Sequence, residues 1–116
     1  MHKVEYFRRL NGRVTTQKWL DKQEHDISAG FLAKFRMAEA EGLNLLNTNA
    51  LAKIVGQSNL YEIKYRSYRI ITYFDTSINT FIMLNGFKKQ KMNEKMEIEK
   101  GIRLMNEYLA VYGGNK

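Results

Sequence analysis

The stretch from Asn59 to Phe87 constrains this fold most. It holds three runs rich in aromatic and β-branched residues, separated by short polar breaks, and that pattern reads as strands joined by tight turns. Its first half, LYEIKYRSYRIITYFD from Leu60 to Asp75, opens with clear alternation. Tyr61, Ile63 and Tyr65 fall on one side of a strand over 59–66, and Glu62, Lys64 and Arg66 on the other. Tyr68 to Phe74 forms a second strand. Asp75-Thr76-Ser77 starts a turn, and Ile78 to Phe87 forms a third strand. Consecutive strands with short turns pair antiparallel.

Helical spacing governs most of the rest. Lys3 to Phe7 reads as a short first strand. Thr15 or Thr16 caps a helix through about Lys22, with Trp19 and Leu20 inward. His25-Asp26 reads as a break. A second helix runs from Ile27 with Phe31, Leu32, Phe35 and Ala38 as its apolar stripe, and Gly42 suits its end. Asn44 to Gln57 reads as an Asn-rich connector anchored by Leu51 and Ile54. Asn93 opens a last helix, striped by Ile98, Ile102, Met105, Leu109 and Tyr112 and ended by Gly113-Gly114. The order β-α-α-β-β-β-α predicts a small α+β domain over 1–116. Its sheet is expected to be mostly antiparallel, with the helices packed on one face.

Charge narrows the function classes. The chain of 116 residues has 19 Lys and Arg against 12 Asp and Glu, a net charge of +7. A small basic domain suits a polyanion or an acidic protein. Between Leu60 and Lys91 the cations are Lys64, Arg66, Arg69, Lys88, Lys89 and Lys91, and the anions are Glu62 and Asp75. With no Cys, disulfides, thiolate metal sites and a cysteine nucleophile are excluded. That composition fits a reducing interior such as a cytoplasm. The first ten residues contain no long apolar run, and no stretch approaches the length of a membrane span.

The cations around the first turn depend on strand parity. A two-residue loop at Ser67-Tyr68 sets Arg66 opposite Arg69 and Lys64 opposite Ile71. Lys64, Arg66 and Arg69 then share one face, while Ile63, Tyr65 and Ile70 share the other. A three-residue loop would split the set, because a one-residue slip turns every side chain over. An even-numbered loop after the second strand would bring Leu84, Gly86 and Lys88 to the face of Arg69. Like charges across a strand pair repel. A bound anion would relieve that repulsion, and so would two long hydrated side chains splaying at a rim.

The ordered set LYEIKYRSYRIITYFD, INTFIMLNGFKKQK and EIEKGIRLMNEYL resembles the RelE/ParE superfamily of toxins from bacterial toxin–antitoxin systems. It is most similar to the HigB branch, phage-derived members included, over Leu60 to Leu109. The resemblance implies a ribonuclease that cuts messenger RNA in the ribosomal A site without a metal or other cofactor. It carries the family's strand-pair cations onto Lys64, Arg66 and Arg69, and its later cations onto Lys88, Lys89 and Lys91. Asn85 replaces a His frequent before Gly-Phe. The segment Gln90-Lys91-Met92-Asn93 departs from the family's polar segment ending in Thr-Pro. The implied protein partner is a helix-turn-helix antitoxin of the HigA type in a toxin–antitoxin hetero-oligomer, with no membrane involved. ParE-type relatives, which act on DNA gyrase, provide a second reading, and a nucleic-acid-binding phage accessory protein a third.

Metal-free RNA cleavage uses the 2′-OH to attack the adjacent phosphate. The protein must move protons and stabilise the phosphorane. His2 and His25 lie outside the matching region, so a His pair does not supply acid and base. Lys64 is the candidate general base or phosphate contact, since neighbouring cations and partial burial disfavour an ammonium. Arg66 and Arg69 are the candidate phosphorane clamps. Glu62 is a rival base, or a partner that orients Lys64. Tyr68 is the candidate base-stacking ring. Lys88 and Lys89 suit contacts to RNA phosphates.

Overall fold

The computed structural model describes residues 2–113. Strand β1 (Lys3–Tyr6) leads to helices α1 (Thr15–Asp21) and α2 (His25–Glu41) and a 3-10 turn, Gly42–Asn47. Strands β2 (Leu51–Lys53), β3 (Leu60–Tyr65), β4 (Tyr68–Asp75) and β5 (Thr80–Lys88) follow. Helix α3 (Glu94–Tyr108) and a wide final turn, Leu109–Gly113, complete the described chain. The expected terminator Gly114 lies outside the described residues.

The five strands form one sheet in the order β1-β5-β4-β3-β2. All neighbours are antiparallel except β1 and β5, which are parallel. The α+β class and the mostly antiparallel sheet stand as expected. Strand β2 is an addition, because its three residues, paired with Tyr61 to Ile63, are too few to show an alternation. The expected break at His25-Asp26 is the first turn of α2.

The helices cover both faces of the sheet, which corrects the expectation of a single covered face. Alternation along β3 and β4 explains this. Tyr61, Ile63, Ile70 and Phe74 point to α1 and α2, where they pack with Leu20, Ile27, Phe31, Phe35 and Ala38. Leu60 and Ile71 point the other way and pack with Leu84, Phe87, Leu104, Met105 and Tyr108 under α3. Both faces of the central strands are therefore apolar, so helices are needed on both. In α2, Leu32 lies outside the stripe and is exposed. In α3 the buried seam is Gly101, Leu104, Met105 and Tyr108, rotated from the expected stripe, and Tyr112 is exposed. Helix α2 stops where Gly42 takes a left-handed φ of 58°, a conformation that favours glycine. No helix among the described residues is long and apolar enough to cross a membrane.

Strand β5 carries a bulge opposite Ile71 and Thr72, where the partners step from Asn85 to Met83. The extra residue, Leu84, joins Asn85 in reversing the parity of the strand. Arg69 therefore faces Phe87, and Tyr68 faces Lys88. Of the residues expected on the face of Arg69, only Leu84 is there. Gly86 and Lys88 lie on the α1 side.

Candidate functional site

The β3–β4 loop has an even number of residues, but it is Arg66-Ser67 rather than Ser67-Tyr68. Tyr65 pairs with Tyr68, and Lys64 pairs with Arg69. Tyr68 is held in the strand because its ring packs on Trp19, with centroids 6.3 Å apart. This moves the loop one residue earlier, and Arg66 becomes a loop residue with a left-handed φ of 53°. Lys64, Arg69 and Glu62 thus share the α3 face, as the parity condition requires. Arg66 leaves that face. Its Nη1 donates to Asp26 Oδ2 of α2 at 2.8 Å, and its guanidinium lies 5.1 Å from the centre of the Tyr65 ring. Both partners of that ion pair are exposed, so it contributes little stability.

Arg69 is 9% exposed. Its Nη1 donates to the carbonyls of Arg66 at 2.7 Å and Tyr68 at 2.9 Å, fastening the turn from beneath. Its Nε is buried without a hydrogen-bond partner among the described residues. Lys64, directly across, is half-buried. Glu62 offsets this positive charge. It is half-buried, its Oε2 is buried and has no hydrogen-bond partner among the described residues, and it feels the charges of Arg69 and Lys89.

Burial nevertheless pushes the Glu62 carboxyl above its usual range. The nearby Glu94 raises it further by its charge and by a hydrogen bond, while Arg69 and Lys89 pull it back. Two carboxyls in contact cannot both ionise freely. Lys89 places its Nζ 3.7 Å from Glu94 Oε2, and its backbone N–H donates to Ser67 O at 2.6 Å. The α3 side of the sheet end therefore gathers Lys64, Arg69, Glu62, Lys89 and Glu94. Sequence reasoning missed Glu94. Its available signal was position: it opens a helix immediately after a cation-rich strand end, which turns it back over the sheet. Asn85 is buried, and its Nδ2 donates to the Glu97 carbonyl at 3.2 Å. It faces α3 rather than this cluster.

The α1 side holds the other candidates. Tyr68 is half-buried, and Lys88 sits with Nζ 5.7 Å from the centre of its ring. Trp19 reaches Tyr68 because Gly86 has no side chain: a Cβ there would lie 2.2 Å from Trp19 Cε3. Lys91 is exposed in the turn before α3. Lys64 and Arg66 also line an open cleft at the β3 side with Lys34 and Asn49. Lys34, a cation within the apolar run of α2, was also missed. The expected residues thus collect at one end of the sheet, but on its two sides. Among the described residues, no three His, Cys, Asp or Glu converge to hold a metal ion.

A twisted, mostly antiparallel sheet with helices on both faces and a cation-rich strand end defines this chain as an α+β protein of RelE architecture. It belongs to the family described as phage derived protein Gp49-like, whose model matches residues 18–106. The fold is similar to that of an arginine-to-alanine double mutant of E. coli toxin RelE in the free state, with a TM-score of 0.64, 16% identity and coverage of 88% of this chain and 95% of that one. The isolated E. coli RelE toxin aligns with a TM-score of 0.59 at 17% identity, covering 88% of this chain and 99% of that one. The archaeal RelE–RelB complex from Pyrococcus horikoshii aligns with a TM-score of 0.60 at 16% identity, covering 78% of this chain and 97% of the matched chain. No curated protein matches the chain significantly.

Proposed function

We propose that this chain is the toxin of a type II toxin–antitoxin pair and cleaves messenger RNA on the ribosome without a metal. The observation that carries this reading is the pairing of Lys64 with Arg69 on one face of the sheet end, with the half-buried Glu62 on the same face. Burial holds the Glu62 carboxyl above its usual range, which makes its carboxylate a better proton acceptor than an ordinary one. In this mechanism the 2′-oxygen attacks the adjacent phosphorus and its proton passes to Glu62. Lys64 and Lys89 offset the phosphorane charge. Lys64 hands a proton to the departing 5′-oxygen, giving a 2′,3′-cyclic phosphate and a 5′-hydroxyl, and exchange with water restores the protonation of Lys64 and Glu62. Arg69 holds the turn that carries Lys64, so positioning is its first role and its Nε the remaining donor. Tyr68, Lys88 and Lys91 contact the RNA from the other side of the sheet end, and Arg66 from the loop.

The partner would be a helix-turn-helix antitoxin, matched to the net charge of +7 by an acidic contact segment. The RelE chain from Pyrococcus horikoshii is itself described in complex with RelB. A second reading, a ParE-like gyrase inhibitor or a nucleic-acid-binding accessory protein, draws on the burial of Arg69, which limits it as a phosphate clamp.

Induction in cells separates these readings. Cleavage predicts new mRNA 5′ ends inside translated codons with supercoiling unchanged. Lys64→Ala should lower those cuts by about 100-fold, within the range of one charge-stabilising contact, at an unaltered melting temperature. Altered supercoiling with intact mRNA would move the chain to the gyrase class.

A further inference from the structure

A second basic surface lies outside the candidate site, along the edge of β5. Strand β1 covers that edge only from Thr80 to Met83. Beyond it, the β1–α1 loop, α1 and α3 surround a groove lined by Arg9, Arg13, Lys18, Trp19, Lys22 and Lys100. The neighbouring cleft shares Arg9 and Lys100 and adds Arg103. Two acids are close. Glu107 is bonded to Arg9 at 2.9 Å, and Asp21 lines an adjoining cleft with Lys18 and Lys22. Arg13, Lys18, Lys22 and Lys100 are exposed and form no ion pair with another described residue.

We propose that this groove binds the phosphate chain of single-stranded RNA and guides it toward the turn at Arg66-Ser67. Three features favour this occupant. The cations come from three elements rather than one point, and Lys18 and Lys22 are four residues apart along one side of α1, so the charge forms a row. A row of lysines needs only charge and reach to hold a backbone. An acidic protein partner would need an apolar centre to its interface, and Trp19 is the one large apolar side chain in this lining. The partly exposed edge of the Trp19 ring among these cations instead suits contact with a base. Trp19 also connects the two regions, since its ring meets Tyr68, which carries Lys88 over its face. A strand in the groove therefore continues over Trp19 to the sheet end.

This inference rests on the reading of the chain as an RNA-acting protein, but its test does not require cleavage. The probe is a fluorescent 2′-O-methyl RNA 12-mer, which cannot be cut by its own 2′-oxygen. Binding to the full chain is followed by anisotropy over a salt series and by quenching of Trp19, the only Trp. The triple variant Lys18→Ala, Lys22→Ala, Lys100→Ala should bind at least tenfold more weakly. Its slope of log affinity against log salt should be shallower by about 2, near 0.7 per lost contact on a single strand. Lys53→Ala, at an exposed cation on β2 at the opposite edge of the sheet, should bind within threefold of the parent. Binding by the parent with no loss in the triple variant would overturn the proposal. So would no binding by the parent, or tighter binding of a poly-glutamate peptide that the same variant abolishes. If the groove behaves as expected while cells show no mRNA cuts, the cleavage reading alone fails.

Discussion

At the residue scale, the contact between Glu62 and Glu94 makes the sharpest claim. Glu62 is raised first by burial and next by Glu94, so at a pH between its unfolded and folded values the folded chain holds a proton that the unfolded chain has released. Stability from that proton is complete below the ordinary carboxylate range and is lost as pH rises through the raised value. Glu94→Gln removes the neighbouring charge that raises Glu62. The variant should gain about 0.5–1 kcal/mol over the parent at pH 7, a contact screened by solvent, and should match it near pH 4. On the proposed mechanism, the acid limb of its cleavage rate should move to lower pH. Unfolding titrations across this range check the first effect, and a constant offset between the two proteins would remove Glu94 from the pair. How much of this was legible follows from reach. Lys64 and Glu62 could be grouped from alternation, and Arg69 joined them only on the condition of an even-numbered loop. Glu94 was reachable only through its position at the start of α3, because a contact between a strand and a helix more than thirty residues later is not written in either segment's own pattern. Arg66 was misplaced because its position depended on whether Tyr68 belonged to a loop or a strand, and Trp19 decides that.

At the scale of elements, two local devices set which side chains reach which face. The bulge at Leu84 reverses the end of β5, sending Lys88 to Tyr68 and Phe87 to Arg69. No periodicity in INTFIMLNGFKKQK announces it, since every residue from Phe81 to Asn85 is buried and an all-apolar run has no visible parity. The existence of β3, β4, β5 and α3 was legible because their runs are long and patterned. Strand β2 and the seam of α3 were not, the first for shortness and the second because Ile98 and Ile102 mimic a stripe while Gly101 takes the closest approach. The second device is Gly86, whose missing side chain lets Trp19 pack against β5. Gly86→Ala forces the ring to move and should destabilise the protein by about 1–3 kcal/mol through overpacking. It should also redshift the Trp19 emission as the ring becomes exposed. In a Trp19→Leu background the same alanine should cost markedly less, the mark of two groups in direct contact. Equal costs in the two backgrounds would show that the clash is relieved elsewhere.

At the scale of the whole molecule, one sheet serves two cores. The cluster under α1 and α2 and the cluster under α3 are built from alternate residues of the same central strands. Neither layer can lose its packing without exposing the apolar backs of Ile63, Ile70 and Phe74 or of Leu60, Ile71 and Phe87. The α+β class followed from element order, whereas the number of covered faces depended on how apolar both sides of β4 are: Ile70 and Ile71 are neighbours on opposite faces and both fully buried. The two cores should therefore unfold together. Leu104→Ala, beneath α3, should cost about 2–4 kcal/mol by leaving a cavity. Trp19 lies across the sheet and does not touch that site, yet its fluorescence should report the same lowered denaturation midpoint as far-UV circular dichroism. If α3 formed a separate unit, the substitution would lower the helical signal first and leave the Trp19 transition at its parental position. Coincident shifts would mean that the sheet end carrying Lys64, Arg69, Glu62 and Glu94 is held from both sides. Cations on the α1 face and carboxyls on the α3 face could then act on one RNA strand without moving independently.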